Sequence, residues 1–174
     1  KGFDLLEAAA KEILKANMLL FILGTGESKY ETFFQRLHQR NPGQVAVALR
    51  FDEALAHKIE AGADMFLMPS QYEPCGMNQL YSLAYGTVPI VRAVGGLDDT
   101  VQEWDPETGS GNGFRFIDYT PEALTGAVLR ARAAFENRDS WLKIMENGMS
   151  ADYSWKMSAP QYVSIYEQAI QLKS

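Results

Sequence analysis

At 174 residues, 47% of them hydrophobic, the chain has the length and apolar content of one domain with an ordinary buried core. Its 22 acidic and 16 basic residues leave a net charge of −6 with no cluster of Lys and Arg, which excludes a nucleic-acid footprint and docking on an anionic membrane. The single cysteine, Cys75, forms no internal disulfide, the two histidines, His38 and His57, are too few for a His/Cys metal site, and no transmembrane run or charged-then-apolar leader appears, so a soluble protein of a reducing compartment is expected.

In chain order, Leu5, Leu6, Ala9, Ile13 and Leu14 are spaced for one face of a first helix, with Asp4 as its N-cap. Met18 to Leu23 is a short continuous apolar run ended by Gly24-Thr25-Gly26, which suits a strand buried on both faces of a parallel sheet. Tyr30, Phe33, Phe34 and Leu37 mark a helix, Asn41-Pro42-Gly43 a turn, and Val45 to Leu49 a second strand. A short helix over Glu53 to Ala61, a strand over Met65 to Met68, a helix over Met77 to Tyr85 and a strand over Val88 to Val91 continue the alternation. Gly95-Gly96 reads as a turn, Asp105 to Gly113 as a surface loop, and Phe114 to Ile117 as a fifth strand. Helices then follow from Pro121 to about Phe135, from Ser140 to Met149 and from Ser158 to Leu172. This order predicts an α/β fold with one doubly wound, parallel, Rossmann-like sheet, in one domain spanning 1–174, with ligands beyond the carboxyl ends of the strands.

The stretch Pro69-Ser70-Gln71-Tyr72-Glu73-Pro74-Cys75-Gly76-Met77-Asn78-Gln79 follows the third strand and opens an apolar helix. Gly76 lets a ligand approach the backbone, and the N–H groups of Met77, Asn78 and Gln79 at the helix start form an anion site suited to a pyrophosphate. A carboxylate is repelled by phosphate, so Glu73 belongs against neutral sugar hydroxyls, which donate to it. The pairing suggests a nucleotide sugar. On residue chemistry alone a plainer reading stands beside it, in which Glu73 favours the helix N-terminus electrostatically and Gly76 is a turn residue. Gly24-Thr25-Gly26 lies where a ligand loop would, without the third glycine of a dinucleotide fingerprint or the Gly-Lys-Ser/Thr of a P-loop. Lys1 is either a phosphate contact or a solvated lysine, Phe51 either a stacking platform or a core aromatic, and His57 a structural histidine. Cys75 has no base partner and reads as a packing or backbone-donating residue.

On these residues the chain resembles the bacterial glycogen synthase and plant starch synthase family, whose fold is the two-domain GT-B type. The stretches that carry the resemblance are Lys1-Gly2-Phe3-Asp4, Ala54 to Ala63, Pro69-Ser70 with Glu73 to Tyr81, Tyr85 to Val91, Gly95-Gly96-Leu97 with Asp99-Thr100-Val101, and Ser154-Trp155 with Ser158-Ala159. The resemblance implies that the chain is the nucleotide-sugar-binding C-terminal half, with the N-terminal acceptor domain absent from it. It further implies that Lys1 contacts the diphosphate, Glu73 the transferred glucose, and Phe51 the adenine. Gly24, Thr25 and Gly26 are implied near the nucleotide, Cys75 and Gly76 face the sugar through their backbone, and Met77, Asn78 and Gln79 face phosphate. Broader GT-B enzymes often place a ribose-holding glutamate eight positions after the first; here that position is Tyr81. The family's phosphate-binding arginine and the strand before it fall upstream of Lys1.

The implied activity is retaining transfer of glucose from ADP-glucose to the non-reducing end of an α-1,4-glucan, in a bacterial cytoplasm or a plastid stroma. Fixed cations and the helix N-terminus take up the charge of the departing ADP, so no metal and no other cofactor is expected. The glucan acceptor is held through the absent domain. Two other readings stand: a non-catalytic nucleotide-binding module, and a GT-B transferase using UDP-glucose with another acceptor. In the last helix Tyr162, Ile165, Tyr166, Ala169 and Ile170 recur at spacings of three and four, giving an apolar stripe expected to need a partner surface.

Overall fold

The computed structural model describes residues 1–173, with side chains through Leu172. The order is α1 (Phe3–Lys15), β1 (Leu20–Leu23), α2 (Ser28–Arg40), β2 (Val45–Ala48), α3 (Glu53–Gly62), β3 (Met65–Met68) and α4 (Asn78–Tyr85). There follow β4 (Val88–Arg92), α5 (Gly96–Thr100), β5 (Phe114–Phe116), α6 (Pro121–Glu136), α7 (Arg138–Met149) and α8 (Trp155–Lys173). All five predicted strands are present and every strand pair is parallel. α5 is a one-turn helix where the sequence reads only a turn, and α7 and α8 start two and three residues before their predicted positions.

The sheet departs from expectation by being in two pieces. β1 pairs with β2 from Leu20↔Val45 onward, and β3, β4 and β5 form a separate three-stranded sheet in that order. β1 and β3 therefore each keep one unpaired edge among the described residues. Their side chains show it: every residue of β3 is only partly buried although all four are apolar, and Phe21 in β1 is 55% exposed. β4 is the opposite case, flanked on both sides and buried from Val88 to Val91. It carries Pro89 in a central strand, where a missing N–H normally breaks a ladder. The Val88 N–H faces β3, donating to the Asp64 carbonyl, so Pro89 turns its nitrogen toward β5, where pairing begins only at Ile90↔Phe114.

One core joins Leu5, Leu6, Ala9 and Ile13 of α1 to Val88 and Ile90 of β4, Phe114 and Phe116 of β5, and Leu124, Ala127, Val128 and Ala131 of α6. A smaller cluster of Val91, Leu97 and Val101 seats α5 against β4. The N-cap of α1 is Gly2 and not Asp4. Gly2 has φ 80°, and a Cβ there would drive into the Pro69 carbonyl at the end of β3, so a side chain is excluded at the point where α1 starts. Asp4 is the second residue of the helix, in its first turn, and accepts a hydrogen bond from the Tyr119 hydroxyl at 2.7 Å.

No described helix is long and apolar enough to cross a membrane. The α8 stripe is exposed, with Tyr162, Ile165, Tyr166 and Ile170 between 51% and 68% accessible, so this helix does not fold onto the sheet of its own chain.

Candidate functional site

The residues singled out above follow the carboxyl ends of the strands. Gly24 to Gly26 follow β1, Phe51 follows β2, the segment from Pro69 to Met77 follows β3, and Gly95-Gly96 follow β4. Because Gly2 lies on the Pro69 carbonyl, Lys1 is delivered to the same place from the start of α1.

Lys1 Nζ donates to Glu73 Oε2 at 2.6 Å, and Ser70 Oγ donates to the same oxygen at 3.2 Å. Glu73 is 7% exposed, while the lysine side chain remains largely in solvent. The two residues read as separate phosphate and sugar contacts are thus each other's partners in the structure. Ser70, 2% exposed, belongs to the site as a donor that orients the carboxylate. Its spacing of three from Glu73 is the one local side-chain pattern in the sequence that signals it.

The backbone of the next residues is held from beneath. The Gly96 N–H donates to the carbonyls of Glu73 and Pro74, both at 3.3 Å. A Cβ on Gly95 would strike the Glu73 carbonyl and one on Gly96 the Cys75 carbonyl, so both glycines are required by close approach of two backbones. Gln79 is fully buried, and its side chain turns inward and not to the strand-end surface. Nε2 donates to the carbonyls of Cys75 (3.0 Å) and Gly76 (3.2 Å) and approaches Thr100 Oγ1 at 3.4 Å, and that hydroxyl donates to the Gly96 carbonyl at 2.6 Å.

With the carbonyls so engaged, the N–H groups of Cys75, Gly76, Met77, Asn78 and Gln79 donate to no acceptor among the described residues. Four of these consecutive donors, Cys75 to Asn78, lie on accessible residues, while Gln79 is buried; with Gly76 at φ 71° and α4 starting at Asn78, they make an anion cradle at a positive helix end.

Phe51 is 89% exposed, which removes the reading of it as a core aromatic. Gly24 has φ 146° and donates its N–H to Ala48 O, and the Gly26 N–H donates to Glu31 Oε1 at 3.0 Å, so two of the loop's three amides are already used inside the chain. Cys75 is exposed, with its Sγ 3.5 Å from the Gly76 carbonyl. Met77 and Asn78 are exposed at the helix start. Tyr81, a turn further along α4, is tilted against the His57 ring with centroids 5.7 Å apart, and His57 Nδ1 lies 3.1 Å from the Tyr85 hydroxyl. Behind this surface Glu60 is buried, receives a hydrogen bond from Ser82 Oγ at 2.8 Å, and has its carboxyl pushed up by burial against the opposing effect of that bond. Among the described residues no group of three or more His, Cys, Asp or Glu side chains is placed to share a metal ion.

Comparison with known proteins follows the same lines. The model of the family described as glycosyl transferases group 1 matches residues 1–146. The chain is 49% identical over 174 residues to the glycogen synthase of Koribacter versatilis, covering 100% of this chain and 36% of that protein. It is 51% identical over 166 residues to the glycogen synthase of Anaeromyxobacter dehalogenans strain 2CP-1, covering 95% and 35%. The chain therefore spans little more than a third of the length of the relatives it matches. The catalytic domain of starch synthase IV from Arabidopsis thaliana, solved with ADP and acarbose, superposes with a TM-score of 0.85 at 32% identity over 98% of this chain and 36% of that one. Sucrose-phosphate synthase from Thermosynechococcus elongatus, at 24% identity and a TM-score of 0.67, shares the fold.

Proposed function

The chain belongs to the group 1 glycosyl transferases and has the Rossmann-like architecture of one half of a GT-B enzyme, and on that premise we propose that it is the donor half of an α-1,4-glucan synthase using ADP-glucose. The observation that carries this reading is the row of four accessible, unpartnered amides from Cys75 to Asn78 set beside the buried carboxylate of Glu73. An amide cradle recognises the oxygens of a diphosphate, and a carboxylate held a few residues away recognises sugar hydroxyls. A nucleotide sugar presents those two chemistries side by side.

In the proposed complex Lys1 exchanges Glu73 for the diphosphate, which releases the carboxylate to accept hydrogen bonds from the glucose. As the bond from anomeric carbon to phosphate breaks, negative charge grows on the departing ADP, and Lys1 with the amides of residues 75–78 stabilises it; fixed charges need no reorganisation at that moment. These groups meet the leaving-group charge without a divalent ion. Glu73 orients the glucose and faces the positive charge that develops toward the anomeric carbon. Phe51 stands at the end of β2 as an exposed platform for the base, and the starch synthase IV neighbour, crystallised with ADP, supports adenine as that base. The glucan acceptor is held by a second domain, and the exposed stripe of α8 is the surface that meets it.

The test is calorimetric titration of the chain with ADP and UDP, joined to a glucan-extension assay. ADP binding tighter than UDP, with extension appearing only when an acceptor-side domain and ADP-glucose are supplied, is the expected result. Equal or inverted nucleotide preference removes the adenine donor, and extension by the chain alone removes the half-site reading.

A further inference from the structure

Two amides of the cradle are oriented by a side chain outside it. In a trans peptide unit the carbonyl and the N–H point in opposite directions. The Cys75 carbonyl shares its peptide plane with the Gly76 N–H, and the Gly76 carbonyl shares its plane with the Met77 N–H. Both carbonyls are bound by one atom, Gln79 Nε2, at 3.0 and 3.2 Å. A single inward-turned amide therefore sets two outward-turned donors.

An ordinary helix cap does the reverse. Ser, Asp or Asn at an N-cap accepts from the first N–H groups and so uses them up, whereas the cap position here, Met77, makes no side-chain bond. Gln79 spends its hydrogen bonds on carbonyls and leaves the donors free. Its Oε1 is buried with no partner. The amide assignment follows from the surroundings, because the opposite flip would set an oxygen against two carbonyl oxygens. A buried acceptor without a donor lowers stability, and packing volume alone would be met by an aliphatic side chain, so what the glutamine adds is the pair of Nε2 bonds to the Cys75 and Gly76 carbonyls.

We propose that Gln79 is a positioning residue whose buried amide aims the Gly76 and Met77 N–H groups at the donor diphosphate. Fully buried, it touches no ligand itself. The proposal rests on the nucleotide-sugar reading for the identity of the anion; the orientation of the two amides stands on the hydrogen bonds alone.

The test compares wild type with Gln79→Met, which keeps volume and removes both the donor and the orphan acceptor, by amide NMR and by calorimetry with ADP, inorganic pyrophosphate and adenosine. Wild type is expected to show fast solvent exchange at Gly76 and Met77 and shifts at both on adding ADP or pyrophosphate. In the variant the thermal midpoint holds, ADP and pyrophosphate affinity falls about tenfold or more, as loss of aligned donors to a charged group implies, and adenosine binding is unchanged. ADP binding within about twofold of wild type overturns the proposal, as does an equal loss of adenosine and ADP, which marks a collapsed site. If wild type takes neither ADP nor pyrophosphate, the nucleotide reading fails, and the exchange rates then decide this one: altered rates at Gly76 and Met77 in the variant sustain it, and unaltered rates overturn it. Should Gln79→Met not fold, Gln79→Glu keeps the shape, turns the donor into an acceptor, and is read in the same way.

Discussion

Gly96→Ala isolates the contact between the Gly95-Gly96 turn and the Glu73 to Gly76 segment. A Cβ at residue 96 would stand 2.6 Å from both the carbonyl carbon and the Cα of Cys75, and nearer still to its oxygen. All three are backbone atoms, so no side-chain rotation relieves the overlap. Carbon atoms rest at about 3.5 Å or more, so the segment must retreat by roughly 1 Å. That movement stretches the Gly96 N–H bonds to Glu73 and Pro74, already 3.3 Å long, and shifts the cradle away from Lys1. Overpacking of this kind costs about 2 kcal/mol, equivalent in a chain of this length to a drop in thermal midpoint of about 5 °C. Misplacement by about 1 Å lowers turnover of the assembled enzyme on the order of a hundredfold. The control is Gly126→Ala inside α6, where a Cβ meets only the end of Arg130 at 3.8 Å; it should stabilise by about 0.5 kcal/mol through helix propensity. Differential scanning fluorimetry and ADP calorimetry on both variants read the comparison. Gly96→Ala with unaltered melting and unaltered ADP affinity would refute the reasoning.

Three further outcomes are expected. Glu73→Ala in an enzyme assembled with an acceptor domain should lower turnover by orders of magnitude while ADP affinity holds or rises, because Lys1 loses its competing partner; Lys1→Ala should weaken ADP, and the opposite assignment in calorimetry would reverse the two roles. Glu60→Gln should raise the melting temperature at pH 8 and little at pH 4: burial raises the folded-state pKa of Glu60, so its contribution is present below the unfolded value near 4.5 and lost as pH rises through the folded one, and a pH-independent difference sinks the argument. Tyr119→Phe should flatten two arms of the stability profile. The Tyr119 hydroxyl holds the Asp4 carboxyl below its ordinary range, so that contribution is present above the unfolded value near 3.8 and lost as pH falls through the lowered one. Burial and then Asp4 push Tyr119 up to about 12, so stability falls from pH 10 toward 12; unchanged arms in urea melts would show the pair to be inert.

Element existence was legible because each strand is a short apolar run between turn residues, and β3 matches its predicted limits, Met65 to Met68. Pairing was not, since hydrophobicity marks a strand as buried without naming its neighbour, and the break between β1 and β3 leaves no local trace. α5 escaped notice because five residues opening on glycine show neither periodicity nor a cap. Asp4 ranks above glycine as a cap by its own chemistry, and the Pro69 carbonyl, distant in sequence, decided for Gly2. In the site, Glu73, Gly76 and the helix start were readable from adjacent residues. Ser70 left only the weak local trace of its spacing of three from Glu73, and the inward turn of Gln79 left none, since it depends on which way a side chain points after the loop has closed over Thr100 and Gly96.

The two-piece sheet bears on how the chain breathes. β4 lies between two hydrogen-bonded neighbours and is buried, while β1 and β2 make a two-stranded ladder, an arrangement of low independent stability. Their amides should exchange with deuterium well before those of β4. Phe51 follows a strand of the weaker piece, and the 75–78 amides stand beyond the stronger one. A nucleotide stacked at one and anchored at the other would fasten the seam like a clasp. ADP should then slow exchange in Val45 to Ala48 more than in Val88 to Val91, and equal slowing in both would mean that the two sheets already open as one.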